Sequence, residues 1–206
     1  INAVELHGHW KDTGVRVTGE AAWNFTAMFL EFWHAYRPES ANEPLDAFRP
    51  HAYHSAPFAG EGWVQPFSDS PLDGEAVSAG VYIDILAQAR DYVYIFTPYL
   101  IIDDVMQAAL CAAAKRGVDV RIVTPGVPDK KVVYRLTRSY YAPLLRAGVR
   151  IYEYTPGFIH SKVYLADTKQ AVVGTVNLDF RSLYLHFECG VFFYRNKVVK
   201  EVEEDF

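Results

Sequence analysis

Residues 159–188 read IHSKVYLADTKQAVVGTVNLDFRSLYLHFE. His160-x-Lys162 opens the run, and Asp167 follows after four residues. Six more lead to Gly174-Thr175-Val176-Asn177, and Glu188 closes it. Branched and aromatic residues fill 159–166 and 171–176, with a polar turn at 167–170, so the stretch predicts a β-hairpin. Side chains alternate between the two faces of a strand. His160, Lys162 and Tyr164 therefore share one face, and Ser161, Val163, Leu165 and Asp167 take the other. By the same rule Thr175 and Asn177 share a face.

That set of side chains suits attack on a phosphodiester. Lys162 offers a point charge to a non-bridging phosphate oxygen, and Asn177 and Thr175 add neutral donors. His160 can attack phosphorus, or pass a proton to the leaving alkoxide. Glu188, on a strand expected to lie close by, is the expected partner of the other imidazole nitrogen and would fix its tautomer. Asp167 counts as a catalytic candidate, although Asp also caps turns well. Arg181-Ser182 suits either a turn or a phosphate contact, and His186 lies two residues from Glu188 on the same strand face. A second His-x-Lys, at His9-Trp10-Lys11, lacks both the Asp and the Gly-x-x-Asn that should follow, and is read as structural.

Working outward, residues 64–158 alternate strands and helices. Helices are expected over 75–90, from Asp103-Asp104 to Lys115-Arg116-Gly117, and as one long helix over 130–147. Strands are expected over 92–97, 118–124, 149–154 and finally 186–194. Acids open the second helix and bases followed by Gly close it, as the helix dipole and a glycine C-cap favour. This alternation predicts an α/β sheet covered by helices on both faces. Upstream, Val15 to Val17 reads as a short strand and 22–36 as an aromatic-rich helix, expected to be buried because it is apolar on most sides. Residues 37–63, with four prolines, have no sustained period and read as a linker.

The chain has 206 residues, half of them hydrophobic, and a net charge of -5. Such a chain is globular, and its acidity gives no general attraction for nucleic acid. Its two cysteines have neither metal nor disulfide spacing. No metal or nucleotide motif is present, so neither a metal nor a cofactor is expected. No apolar run is long enough to span a bilayer, and the chain reads as a soluble piece of a longer protein.

The spacing H-x-K-x4-D-x6-G-x-x-N resembles the phospholipase D signature. More narrowly, residues 154–162 (YTPGFIHSK) and 174–191 (GTVNLDFRSLYLHFECGV) resemble the second catalytic half of bacterial cardiolipin synthases, and WKDTGVRVTG at 10–19 resembles the end of their first half. The resemblance implies a phospholipase D-like mixed β-sheet with helices on both faces. It also implies a division into 1–36 as the tail of a first repeat, 37–63 as a linker and 64–206 as a second repeat. The implied reaction joins two phosphatidylglycerols into cardiolipin and releases glycerol, through a phosphohistidine and without a cofactor. His160 then matches the acid/base histidine. Lys162, Thr175 and Asn177 match phosphate-binding positions, Glu188 the orienting carboxylate and Asp167 a supporting residue. The expected partners are phosphatidylglycerol and cardiolipin, not nucleic acid, with the bacterial cell membrane as the site of the full-length enzyme. One motif is half a site, so a missing N-terminal half, or a second copy, is expected to complete it. A hydrolase of phospholipid or nucleic acid, and a non-catalytic module for anionic lipid, are the alternatives.

Overall fold

A computed structural model describes residues 2–40, 42, 44–49 and 60–206. In chain order it contains β1 (His9–Lys11), α1 (Glu20–Tyr36), β2 (Trp63–Asp69), α2 (Val77–Gln88), β3 (Tyr92–Phe96), β4 (Leu100–Ile101), α3 (Asp104–Lys115), β5 (Asp119–Pro125), α4 (Lys131–Ser139) and α5 (Tyr141–Ala147). Then come β6 (Arg150–Tyr154), β7 (Gly157–Ile159), β8 (Val163–Ala166), β9 (Gln170–Gly174), β10 (Leu178–Asp179), α6 (Phe180–Tyr184), β11 (Glu188–Tyr194) and α7 (Val198–Glu204). Seven strands form one mixed sheet in the order β2-β11-β9-β8-β3-β5-β6. β3, β5 and β6 run parallel, whereas β8, β9, β11 and β2 are joined antiparallel to their neighbours.

Alternation along β8 separates two apolar layers. Tyr164 and Ala166 face a core built with Tyr82, Ile85 and Leu86 of α2, Met106 and Leu110 of α3, and Leu144 of α5. Val163 and Leu165 face the opposite core, with Phe96, Val191, Phe193 and the α7 residues Val199 and Val202. Helices thus cover both faces, as the alternating pattern predicts. Asp103 caps α3 by accepting from the Met106 N–H at 2.8 Å, a role that suits Asp at a helix start.

Four local expectations need correction. Residues 130–147 form two helices broken at Tyr140, because Pro143 has no N–H for the Ser139 carbonyl and its ring would clash there. The strand expected over 159–166 is two: β7 pairs in parallel with β1, β8 joins the main sheet, and the motif residues 160–162 lie in the irregular step between them. Val15–Val17 is not a strand. The pairing is made instead by His9–Lys11, where the backbones approach so closely that a Cβ on Gly157 would collide with the backbone of His9. Finally, α1 buries only Leu30 completely, and Phe29, Trp33 and Tyr36 remain exposed. Its packing among the described residues includes Phe32 on Phe187 at 4.8 Å, Trp23 under the Arg49 guanidinium and contacts with β2. Within the expected linker there are two 3-10 turns, Pro38–Ser40 and Leu45–Phe48. Ile1, Ala41, Glu43 and residues 50–59 lie outside the described residues.

Asp167 closes the β8–β9 hairpin. Asp167 and Thr168 are both left-handed, at φ 54° and 52°, and the Lys169 N–H reaches the Ala166 carbonyl at 3.0 Å, which makes a type I′ turn. The Asp167 carboxylate accepts the N–H groups of Arg90, Asp91 and Tyr92 at 2.9–3.0 Å and so fastens the hairpin to the start of β3. Partial burial pushes its pKa up, but these three donors outweigh that and hold it below the usual value. Replacing Asp167 with Ala should cost roughly 1–3 kcal/mol for the orphaned N–H groups, read as a lower denaturation midpoint at pH 7. Asn, which keeps one acceptor and tolerates the left-handed region, should recover part of the loss.

Candidate active site

The step between β7 and β8 places His160 where three elements meet. The His160 N–H donates to the Lys11 carbonyl at 2.7 Å, extending the β1–β7 pairing by one residue. This puts Asp12 beside the ring, and Asp12 Oδ2 lies 2.9 Å from His160 Nδ1. Trp10 and Phe158 lie against the imidazole at ring separations of 5.0 and 6.0 Å. The segment bearing Asp12 is itself fastened. Thr13 Oγ1 bonds Ser161 Oγ at 3.0 Å and Asp205 Oδ2 at 2.9 Å, and Lys11 pairs with Asp205. Asp12 is pushed up by partial burial, but the hydrogen bond and charge of His160, and the charge of Lys162, more than offset this and lower its pKa.

Lys162 is 7 % exposed. Its Nζ donates to the His160 carbonyl at 2.6 Å and sits 2.8 Å from His160 Nε2. An ammonium beside Nε2 and a carboxylate on Nδ1 together select the tautomer with its hydrogen on Nδ1. The Nε2 lone pair is then directed at the cation. Burial lowers the Lys162 pKa to about 8, although the charges of Asp12, Glu188 and Asp179 pull it back up.

Asn177 and Thr175 belong to the loop after β9. The Tyr82 hydroxyl donates to the Val176 carbonyl at 3.2 Å from within the core and so holds that loop. Gly174 stands opposite Gly190, where a Cβ would lie 2.5 Å from the Cys189 carbonyl oxygen. Glycine at this motif position is a packing requirement of the β9–β11 pair. Asn177 Nδ2 lies 3.0 Å from Ser182 Oγ, and its buried Oδ1 has no partner.

Glu188 does not meet His160. The carboxylate is 8 % exposed, accepts from the Thr175 hydroxyl, and lies 3.6 Å from His186 Nδ1. Arg181 Nε donates to His186 Nε2 at 2.6 Å. The carboxylate beside the His160 ring is therefore Asp12, 148 residues before the histidine, and not the expected Glu188, because β1 lies on β7 whereas β11 lies on the far side of β9. No spacing within the motif points to Asp12; the only signal was the resemblance of WKDTGVRVTG to a separate half. Asp167, a catalytic candidate on sequence, follows β8 whereas His160 precedes it, and its oxygens are saturated by backbone N–H groups. The structure thus brings together His160, Lys162 and Asp12, with the Asn177 loop on the next strand and Glu188 close enough for its charge to act on Lys162. Among the described residues no group of three or more His, Cys, Asp or Glu is placed to hold a metal.

The mixed sheet, with its paired histidine and lysine on an interrupted strand, has the architecture of the phospholipase D superfamily. Its likeness to Nuc from Salmonella typhimurium, described as a phospholipase D family member, has a TM-score of 0.57 at 22 % identity, covering 70 % of this chain and 91 % of that one. Phosphatidylserine synthase from Haemophilus influenzae gives 0.53 at 21 % identity, over 68 % of this chain and 37 % of that one. Both likenesses concern the fold. Residues 82–206 match the cardiolipin synthase, PLD-like domain, and the chain belongs to that family. It is 37 % identical to a cardiolipin synthase of Geobacillus thermodenitrificans over 98 % of its length and 40 % of that enzyme's. It is 52 % identical to an uncharacterized protein of Streptococcus mutans, covering 44 % of that protein. The chain thus spans about two-fifths of the length of the curated relatives it matches.

The buried ammonium sets the sign of a stability test. The unfolded chain keeps its Lys162 proton up to about 10.5, the folded chain only to about 8. The unfolded state therefore binds more protons between these values, and stability rises with pH across that window. Below pH 8 the charge costs on the order of 3 kcal/mol. Lys162→Met should raise the urea midpoint at pH 7, with the gain shrinking as the pH approaches 10.

Proposed function

We propose that the chain carries one half of a cardiolipin synthase active site, transferring a phosphatidyl group between two phosphatidylglycerols. The observation that carries this reading is the fixed imidazole: Asp12 on Nδ1, Lys162 at Nε2, and family membership that supplies the lipid substrate. In the first step a nucleophilic histidine from the other half attacks phosphorus, and the bond to the leaving glycerol oxygen breaks. His160, as imidazolium, gives that oxygen its proton. In the second step neutral His160 takes the proton from the hydroxyl of an incoming phosphatidylglycerol. That oxygen forms the new P–O bond as the P–N bond breaks, leaving cardiolipin. Positioned proton transfer of this kind contributes about 10²–10⁴ in rate.

Lys162 moves from Nε2 to a non-bridging phosphate oxygen when substrate arrives, which frees Nε2 for the proton. Asn177 joins it by turning its amide. With Oδ1 accepting from the Ser182 hydroxyl, the orphaned acceptor is satisfied and Nδ2 becomes a donor to the phosphate. Residues 1–36 serve in this reading as the tail of the first repeat, 37–63 as the linker and 64–206 as the second repeat. The delivery of Asp12 onto His160 from so far along the chain supports that division. By the symmetry of two repeats, Glu188 is the acid for the histidine of the other half, which accounts for a buried carboxylate that avoids His160. The site is then completed by that other half or by a second copy, at the membrane.

The test is an assay of the purified chain on phosphatidylglycerol in mixed micelles over a range of protein concentrations, beside His160→Ala. Supplying the missing half should give cardiolipin and glycerol, with His160→Ala and Asp12→Ala lowering the rate by at least a hundredfold. Activity of the chain alone should rise with the square of its concentration. Phosphatidic acid as the sole product would make it a hydrolase, and no cardiolipin even with both halves would sink the synthase reading. In the active assembly, kcat/KM should fall as the pH rises through about 8, where the free site loses the Lys162 charge. A bound phosphate restores that charge, so the alkaline limb of kcat should lie higher.

A further inference from the structure

Helix α4 differs in charge from the rest of this acidic chain. Its nine residues, KVVYRLTRS, contain Lys131, Arg135 and Arg138 and no acid, and Lys130 precedes it. Thr137 is its only fully buried residue. At about 100° per residue, the outer arc runs Arg138, Lys131, Arg135, Ser139, Val132, Leu136. All six are exposed, with Val132 at 78 % and Leu136 at 45 %. The cations occupy one side of the arc and two bare aliphatic side chains the other. Arg138 is engaged by Glu153 at 3.4 Å, and Lys130 leans on Asp129 and the Tyr99 ring. No ion pair is recorded for Lys131 or Arg135 among the described residues.

The helix hangs on the strands that frame the candidate site. Thr137 Oγ1 accepts the Leu100 N–H at 3.2 Å. That residue opens β4, which pairs with β10 directly after Asn177. At the near end of α4, Tyr99 packs 6.4 Å from Phe158, the neighbour of His160. α6 continues from β10, with Phe180 at 49 % and Leu185 at 56 % exposed beside Arg181. Exposed cations and apolar side chains are therefore carried by the elements tied to the strands on which Asn177 and Phe158 stand. Helix α1 is also exposed and aromatic, but it carries two acids and no Lys or Arg.

We infer that the α4 face, with the α6 rim, docks on an anionic lipid bilayer and presents the candidate site to headgroups at its surface. Charge complementarity selects the occupant: cations meet lipid phosphates while Val132 and Leu136 enter the headgroup–acyl boundary. A nucleic-acid backbone would use the cations and leave the aliphatic pair in water. The preference for lipid rests on the proposed function, but the docking is measured separately from turnover.

The 206-residue chain and its variants are mixed with phosphatidylglycerol or phosphatidylcholine vesicles and separated by flotation. Wild type should float with phosphatidylglycerol and not with phosphatidylcholine. Each surface cation contributes roughly fivefold to such partitioning, so Lys131→Gln with Arg135→Gln should lower it at least tenfold, as should 0.5 M salt. Val132→Ser with Leu136→Ser should also release the chain while leaving its thermal midpoint in place, since both residues are exposed. Equal binding to the two vesicle types, or unchanged flotation of both variants, would overturn the inference. So would binding to duplex DNA that is tighter than to vesicles and lost in the Gln variant. Failure of flotation with retained turnover of micellar phosphatidylglycerol would remove the docking surface and leave the proposed reaction standing. Flotation with no turnover even when both halves are supplied would do the reverse.

Discussion

A single backbone hydrogen bond, from the His160 N–H to the Lys11 carbonyl, decides how the candidate site is built. It continues the β1–β7 ladder just past the point where the strand bearing the motif leaves its neighbour. Because of it, the residue after Lys11 can reach the imidazole, and the histidine does not depend on a flexible side chain from its own strand. Everything else at this end of the sheet supports that junction. Gly157 allows the two backbones to touch, Ser161 and Thr13 tie the next residues together, and Asp205 closes over both Lys11 and Thr13.

The same junction makes room for an unfavourable charge. An ammonium in a site this dry is costly unless its protons find acceptors, and here one goes to a carbonyl and one to a ring nitrogen. Three carboxylates act on it through space. The protein therefore keeps a buried cation whose nearest acceptors are neutral. In the proposed reaction the ammonium and the Asn177 amide turn to the phosphate on binding, so that the donors are in place before charge develops at the leaving oxygen.

The sheet was legible because its apolar faces alternate without error from Val163 to Ala166, and because Asp103 and Gly117 punctuate their helix as capping rules require. The breaks were harder. Pro143 lies three residues past Tyr140 and marks the break in the sequence itself, although helix-forming residues flank it on both sides. The interruption at 160–162 has no turn residue to mark it, because His, Ser and Lys there carry no Gly or Pro and the split comes from the competing pairing with β1. The motif's own members were found where they stand, yet their partners were misread. Local spacing placed Glu188 near His160 and Asp167 in the chemistry. The pairing order of the strands gives His160 to Asp12, and the type I′ turn absorbs Asp167. Long-range pairings of this kind have no local signature in a single chain.

The clamp made by Asp205 gives the site a sense of time. A ribosome releases Asp12 well before His160, and Asp205 later still, and the segment bearing the first is fastened by the last. Until Asp205 emerges, Lys11 and Thr13 lack their shared partner, and the segment bearing Asp12 is fastened only by the strand pairing and by Ser161.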